Sequence, residues 1–182
     1  MFLMFSTRNP TAASKSTSGK PSKSDLPKKS QNLRIISANV NGIRSRKAEL
    51  EYLTSYTQAD IICISETKLD SRVNPTEFLP PGYKEFSKHR SSGGGGVMVM
   101  YRDGLSVCDV PIKDVIGEVC WVKVDTNDNP LYICSFYDSP SDRSTHQAEE
   151  LEKSLAFINN LTRNNPNATI VIAGDFNIGD VE

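Results

Sequence analysis

The chain has 182 residues, 37% of them hydrophobic, which suits one globular domain rather than two full ones. No apolar run approaches the roughly 20 residues that a membrane-spanning helix needs, and there is no collagen-like glycine period, heptad array or solenoid-type repeat. The net charge of −1 is unevenly spread: residues 1–31 carry a local +5, which leaves −6 on the rest. Such a body does not bind phosphate over its whole surface, so any nucleic-acid contact has to be local.

Residues 6–31 are Ser, Thr, Lys and Pro with almost no large apolar side chain, so burial cannot offset the entropy of ordering them. Residues 1–31 are therefore expected to form a disordered basic tail, either a solvated leader or a localisation signal or nucleic-acid arm, and 32–182 the folded part. The opening MFLMFS is too short for a signal-peptide core, and no small-residue cleavage site follows promptly. The expected location is intracellular, nuclear or cytoplasmic.

From Leu33 the character changes. LRIISA (33–38) reads as a buried strand, followed by the polar turn Asn39-Val40-Asn41-Gly42. Ile43, Leu50 and Leu53 then recur on one face of a helix running to about Tyr56. ADIICIS (59–65) is a second β-branched run, and this strand–helix–strand unit places its two strands parallel through a right-handed crossover. After a loop containing Pro75, Pro80, Pro81 and Gly82 come VMVMY (97–101), LSVCDV (105–110), EVCWVKV (118–124) and LYICSFY (131–137). Their short separating turns, Arg102-Asp103-Gly104 and Asn127-Asp128-Asn129-Pro130, predict an antiparallel meander. Ala148, Leu151, Leu155, Ile158 and Leu161 form the stripe of a second helix. TIVIAGDFN (169–177) is a strand running into a polar turn. Parallel units around an antiparallel middle predict an α/β fold: two packed mixed β-sheets flanked by helices, a four-layered α/β sandwich.

The four cysteines (Cys63, Cys108, Cys120 and Cys134) stand at least twelve positions apart, each in an apolar run. This spacing argues against zinc and for small buried hydrophobes in a reducing compartment. The triplets Asn160-Leu161-Thr162 and Asn167-Ala168-Thr169 have no meaning as glycosylation sites without secretion. The run Gly93–Gly96 lacks a following Lys-Ser/Thr and helix, so it is no nucleotide-binding loop and reads as a flexible lead into a hairpin. His89 and His146 lack motif context.

Loops just beyond the carboxyl ends of strands collect ligand groups. Here those positions hold Asn39, Glu66, Tyr137, Asp175 and Asn177. All offer oxygen or hydrogen-bonding groups, and no His/Cys cluster competes. Oxygen ligation with few carboxylates selects a hard cation, Mg²⁺ or Mn²⁺, that keeps waters and binds substrate phosphate. Taken singly, each residue reads equally as a turn former, a half-buried strand residue or a cap.

In order and context, SANVNGIR (37–44), SETKL (65–69), SFYDSP (135–140) and IAGDFN (172–177) resemble the endonuclease/exonuclease/phosphatase superfamily over about residues 33–179. ADIICISETKLD, SSGGGGVMVMYRDG and the Tyr within FYDSP are similar to the endonuclease domain of non-LTR retrotransposons. The repair branch of the superfamily usually has an acidic residue where this chain has Asn41. The resemblance implies a phosphodiester hydrolase acting on DNA, with Glu66 holding the metal and Asn39 beside it. It further implies that Tyr137 hydrogen-bonds the scissile phosphate, Asp175 orients or deprotonates the attacking water, and Asn177 positions water or phosphate oxygens. Asn41, Arg44 and Arg90 are weaker substrate-binding candidates, and Arg46, Lys47 and His89 could also touch DNA. Superfamily members close the site with a later aspartate and a Ser-Asp-His segment. This chain stops at Glu182 and holds no such triplet, so the fold is expected to be C-terminally truncated and the isolated chain impaired. Two other functions fit the same residues: a same-fold phosphatase or phosphodiesterase on a lipid, inositol or nucleotide substrate, and a non-catalytic module binding nucleic acid through its basic tail.

Overall fold

Alternation along the strands decides the layering. A computed structural model describes residues 3–6, 32–90, 94–112, 118–126, 129–139 and 145–177, with 3–6 and 145–151 as backbone only. One sheet contains β1 (Leu3–Ser6), β2 (Arg34–Asn39), β3 (Ile61–Ser65), β4 (Tyr83–Lys88) and β5 (Val97–Arg102), in the order β1-β2-β3-β5-β4. The other contains β6 (Val107–Asp109), β7 (Glu118–Val124), β8 (Leu131–Tyr137) and β9 (Thr169–Asp175), in chain order. Helix α1 (Lys47–Thr57) links β2 to β3 and helix α2 (Thr145–Asn164) links β8 to β9, and these are the two parallel pairs.

Successive strand side chains point to opposite faces, and the core divides accordingly. Ile35, Ile61, Cys63, Val97 and Val99 meet Val122, Val124, Ile133 and Ala173 between the sheets. The alternate residues Ile36, Ile62, Ile64, Met98 and Met100 pack with Leu50 of α1. Trp121, Tyr132 and Cys134 pack with Phe157, Ile158 and Leu161 of α2 on the far side. Three apolar seams therefore separate four layers, the sandwich expected from the sequence.

Several elements differ from expectation. β5 does not join the meander; it pairs antiparallel with both β3 and β4, and the turn after Arg102 carries the chain into the second sheet. Its buried residues Val97–Tyr101 have cover on both faces, the mark of a central strand. The meander is β6–β7–β8 alone. β4, YKEFSK, was hidden by its polarity, because an edge strand needs only its inner side chains apolar. In α2 the buried face runs through Phe157, Ile158 and Leu161, and Leu155 is 50% exposed. Ile43 is buried but lies in a separate 3-10 turn, Ile43–Ser45, ahead of α1. Cys63, Cys120 and Cys134 are buried thiols as expected, whereas Cys108 on the short edge strand β6 is exposed. Within the expected tail, Leu3–Ser6 pair antiparallel with β2; residues 7–31 lie outside the described residues. Among the described residues no helix is long and apolar enough to cross a membrane.

Candidate active site

Parallel pairing puts the carboxyl ends of β2 and β3 at one edge, and those of β8 and β9 at the facing edge. Asn39 is the last residue of β2, in register with Ser65. Glu66 then leaves β3 in a left-handed conformation (φ 55°). That turn is held from both sides. Gly42 and Ile43 donate their backbone N–H groups to the carbonyls of Glu66 (2.8 Å) and Thr67 (3.0 Å), while Thr67 and Lys68 donate to Gly96 (3.1 Å) and Gly95 (2.8 Å). In the second sheet Tyr137 and Asp175 are direct cross-strand partners. Gly174 permits their close approach: a Cβ there would stand 1.8 Å from the Phe136 carbonyl oxygen. The buried Ser135 Oγ donates to the Ile64 carbonyl at 2.9 Å and pins one sheet to the other two residues below the site.

Four of the predicted residues share one hydrogen-bonded cluster. Asn39 Nδ2 donates to Glu66 Oε1 (2.9 Å) and to Asp175 Oδ2 (2.8 Å), and Asn39 Oδ1 accepts the backbone N–H of Asn41 (3.0 Å). Tyr137 OH donates to the same Glu66 oxygen at 3.1 Å. Two carboxylates at this separation repel each other. A neutral amide with two N–H groups draws both inward without adding charge. The backbone N–H of Asn177 donates to Asp175 Oδ1 (3.2 Å), and its side-chain amide donates to the Asp138 carbonyl (2.6 Å). Burial, then the hydrogen bond to Glu66 and the charges of Glu66 and Glu118, push the Tyr137 hydroxyl up to about 12, so it remains a proton donor at neutral pH.

The donor set suits a hard cation. Among the described residues no group of three or more His, Cys, Asp or Glu forms a cage, and the cluster offers two carboxylates and an amide oxygen. Mg²⁺ needs no dedicated cage, since it takes one or two protein carboxylates, waters and substrate oxygens. Glu66 Oε2 makes no short hydrogen bond to Lys68, whose ammonium stands 3.6 Å away. Asn39, by contrast, turns its NH₂ to the carboxylates, so here it bridges them as a donor.

The weaker candidates have other engagements. Arg44 pairs with Asp70 at 3.1 Å. Arg90 reaches Glu118 (3.3 Å) and Ser139 Oγ (3.4 Å). Asn41 accepts from Lys68. Lys68 itself was passed over although SETKL contains it; its position two residues after Glu66 was the available signal. Glu118 was hidden too, because only the β7–β8 register places it opposite Tyr137.

The Endonuclease/Exonuclease/phosphatase family model matches residues 36–180, and the chain belongs to that family. Members of this family are nucleases and phosphodiesterases. Similar solved structures include the endonuclease domain of TRAS1, a telomere-specific non-LTR retrotransposon (18% identity, TM-score 0.56, covering 81% of this chain and 60% of that one). AP endonuclease LMAP from Leishmania major is another (17%, TM-score 0.56, 87% and 59%), as is the 3′ phosphatase NExo from Neisseria bound to a product DNA hairpin (18%, TM-score 0.59, 82% and 60%). At these identities the likeness is one of fold, and the chain spans about 60% of the length of each of these three structures. No curated protein is matched by the sequence.

Proposed function

We propose that this chain carries the catalytic edge of a Mg²⁺- or Mn²⁺-dependent DNA endonuclease of the retroelement type. The observation that supports it is the Asn39 amide held between the Glu66 and Asp175 carboxylates, with Tyr137 on the same Glu66 oxygen. Sequence segments over 130 positions apart are drawn to one point there, an arrangement with no evident value to the core. The retroelement assignment is supported by ADIICISETKLD, the Tyr of FYDSP, and a neutral Asn41 where repair enzymes are acidic.

Glu66, with Asn39 beside it, would hold the cation, which when bound neutralises phosphate charge and lowers the pKa of water. The protein's own groups do the rest. Tyr137 keeps its proton at neutral pH and can turn it from Glu66 to a phosphate oxygen, stabilising charge without adding a negative group. Asp175 has both oxygens fixed, by Asn39 and by the Asn177 backbone, so it is oriented to accept a proton from the attacking water. Asn177, in a left-handed conformation (φ 40°), gives its side-chain amide to the Asp138 carbonyl and would turn it from there to position water or phosphate oxygens.

The test is nicking of supercoiled plasmid by the full chain, beside hydrolysis of inositol phosphates. Mg²⁺-dependent nicking, lost in Glu66→Ala, is the expected result. Hydrolysis of inositol phosphates alone would instead make the protein a phosphatase, and salt-sensitive DNA binding without cleavage would make it a non-catalytic module.

A further inference from the structure

Glu118 opens β7 as a carboxylate in an apolar strand, with its side chain only 15% exposed. Its Oε2 accepts the backbone N–H of Gly96 at 2.5 Å and its Oε1 pairs with Arg90 at 3.3 Å. Such charge-assisted bonds are strong and directional in a site of this burial. The glycine backbone is pressed against them. Gly95 (φ 67°) and Gly96 (φ 86°) are both left-handed; a Cβ on Gly95 would lie 2.3 Å from the Glu118 carboxylate oxygens, and one on Gly96 would lie 2.4 Å from Thr67 Oγ1. These two glycines are therefore a packed spacer, not a slack lead into β5. Their carbonyls accept the N–H groups of Lys68 (2.8 Å) and Thr67 (3.1 Å). Those are the two residues after Glu66, whose left-handed φ a non-glycine residue keeps only where its surroundings impose it.

We infer that Glu118 is a positioning residue: through the Gly95–Gly96 backbone it sets the turn that aims the Glu66 carboxylate at Asn39 and Tyr137. This rests on the function proposed above in treating Glu66 as the cation ligand. Glu118 stands opposite Tyr137, whose hydroxyl its charge helps raise, and it is tied to the Glu66 turn through Gly96. It grips Gly96, Gly96 fixes Thr67, and Thr67 fixes the turn. Loss of that grip leaves the sheets intact and lets the carboxylate wander.

The test compares Glu118→Ala and Glu118→Gln with the unaltered 182-residue chain. It reads amide hydrogen exchange at single residues, Mn²⁺ binding by electron paramagnetic resonance, and plasmid nicking. In Glu118→Ala the Thr67 and Lys68 amides are expected to exchange at least about tenfold faster while those of Ile133 and Ser135 are unchanged, since local opening leaves the rest of the fold protected. Mn²⁺ affinity and kcat are expected to fall about 10–100-fold with KM little moved. Glu118→Gln keeps an oxygen for Gly96 and is expected to recover part of each loss; it also carries the test should Glu118→Ala fail to fold. Unchanged exchange at Thr67 and Lys68, or exchange rising equally in β8, would overturn the inference. An unaltered chain that binds no Mn²⁺ and cuts nothing would overturn the proposed function instead, and the exchange comparison would still decide the role of Glu118.

Discussion

The site is built from two copies of one device that are stabilised differently. β2–α1–β3 and β8–α2–β9 are both parallel strand–helix–strand units, and each delivers two site residues from its carboxyl edge: Asn39 and Glu66 from the first, Tyr137 and Asp175 from the second. In the second unit both residues sit in regular strand register, fixed by the ladder itself. In the first, Glu66 lies one residue beyond the strand in a left-handed turn that needs Gly42 on one side and Gly95 and Gly96 on the other. A carboxylate inside a ladder inherits the rigidity of the sheet. One placed past its end gains freedom to approach a cation, and depends on neighbours to limit that freedom.

Exchanging charge for an isosteric amide in each unit separates the two roles most strongly. Asp175→Asn is expected to reduce nicking about 10²–10⁴-fold, the loss of a proton acceptor, while Mn²⁺ binding persists. Glu66→Gln should lose Mn²⁺ binding as well as nicking. If both variants lost the metal equally, the division between a cation-holding unit and a water-orienting unit would fail. Next in size is Gly174→Ala. The new methyl would overlap the Phe136 carbonyl, so β8 and β9 must separate; a loss of about 1–3 kcal/mol in urea unfolding is expected, as for other overpacking changes. A near-neutral result would show that the second unit is not as tightly laddered as its register implies.

Ser135→Ala tests what joins the units. Its hydroxyl is the buried donor to the Ile64 carbonyl across the inter-sheet seam. Removing it takes away the cross-sheet bond of a carbonyl that stays in the β3 ladder, which costs about 0.5–1.5 kcal/mol, and both halves of the site should loosen together. Unfolding midpoints and nicking rates measured on the same preparations check this.

How much of this was legible beforehand follows the physics of each element. Strands buried on both faces, such as β3, announce themselves as continuous apolar runs, and β7 and β8 matched EVCWVKV and LYICSFY to the residue. β4 did not, because an edge strand carries half the apolar signal. β5 was assigned to the wrong neighbours, since short turns look alike whether the chain stays in one sheet or crosses to another. The α2 stripe held at Ile158 and Leu161 and missed at the apolar Leu155, which faces solvent; the side chains of Ala148 and Leu151 lie outside the described residues. At the site, strand-end position marked Asn39, Glu66, Tyr137 and Asp175, but nothing in the sequence places Glu118 opposite Tyr137 or the glycine carbonyls beside Thr67. Such partners arise from register and from layers meeting in space.

The smallest expected effect concerns the cysteines, which lie in different seams and report how each opens. Cys108 is exposed on β6 and should react at once with a thiol reagent. Burial pushes the Cys63 and Cys120 thiols up to about 12 and raises that of Cys134 well above its usual value, so these three present almost no thiolate at pH 8 and react only when their seam opens. Cys63 lies between the sheets, under strands on both sides. Cys134 lies under α2, whose described side chains include a single buried one, Leu161, beside the half-buried Phe157 and Ile158. Local opening follows the least apolar contact. The α2 seam should therefore open before the sheets part, and mass-resolved labelling is expected to find Cys134 modified before Cys63. The second unit, firmer at its carboxyl edge, would then be the weaker one along its helix. Equal labelling rates for the two thiols would show instead that the domain opens as one cooperative body.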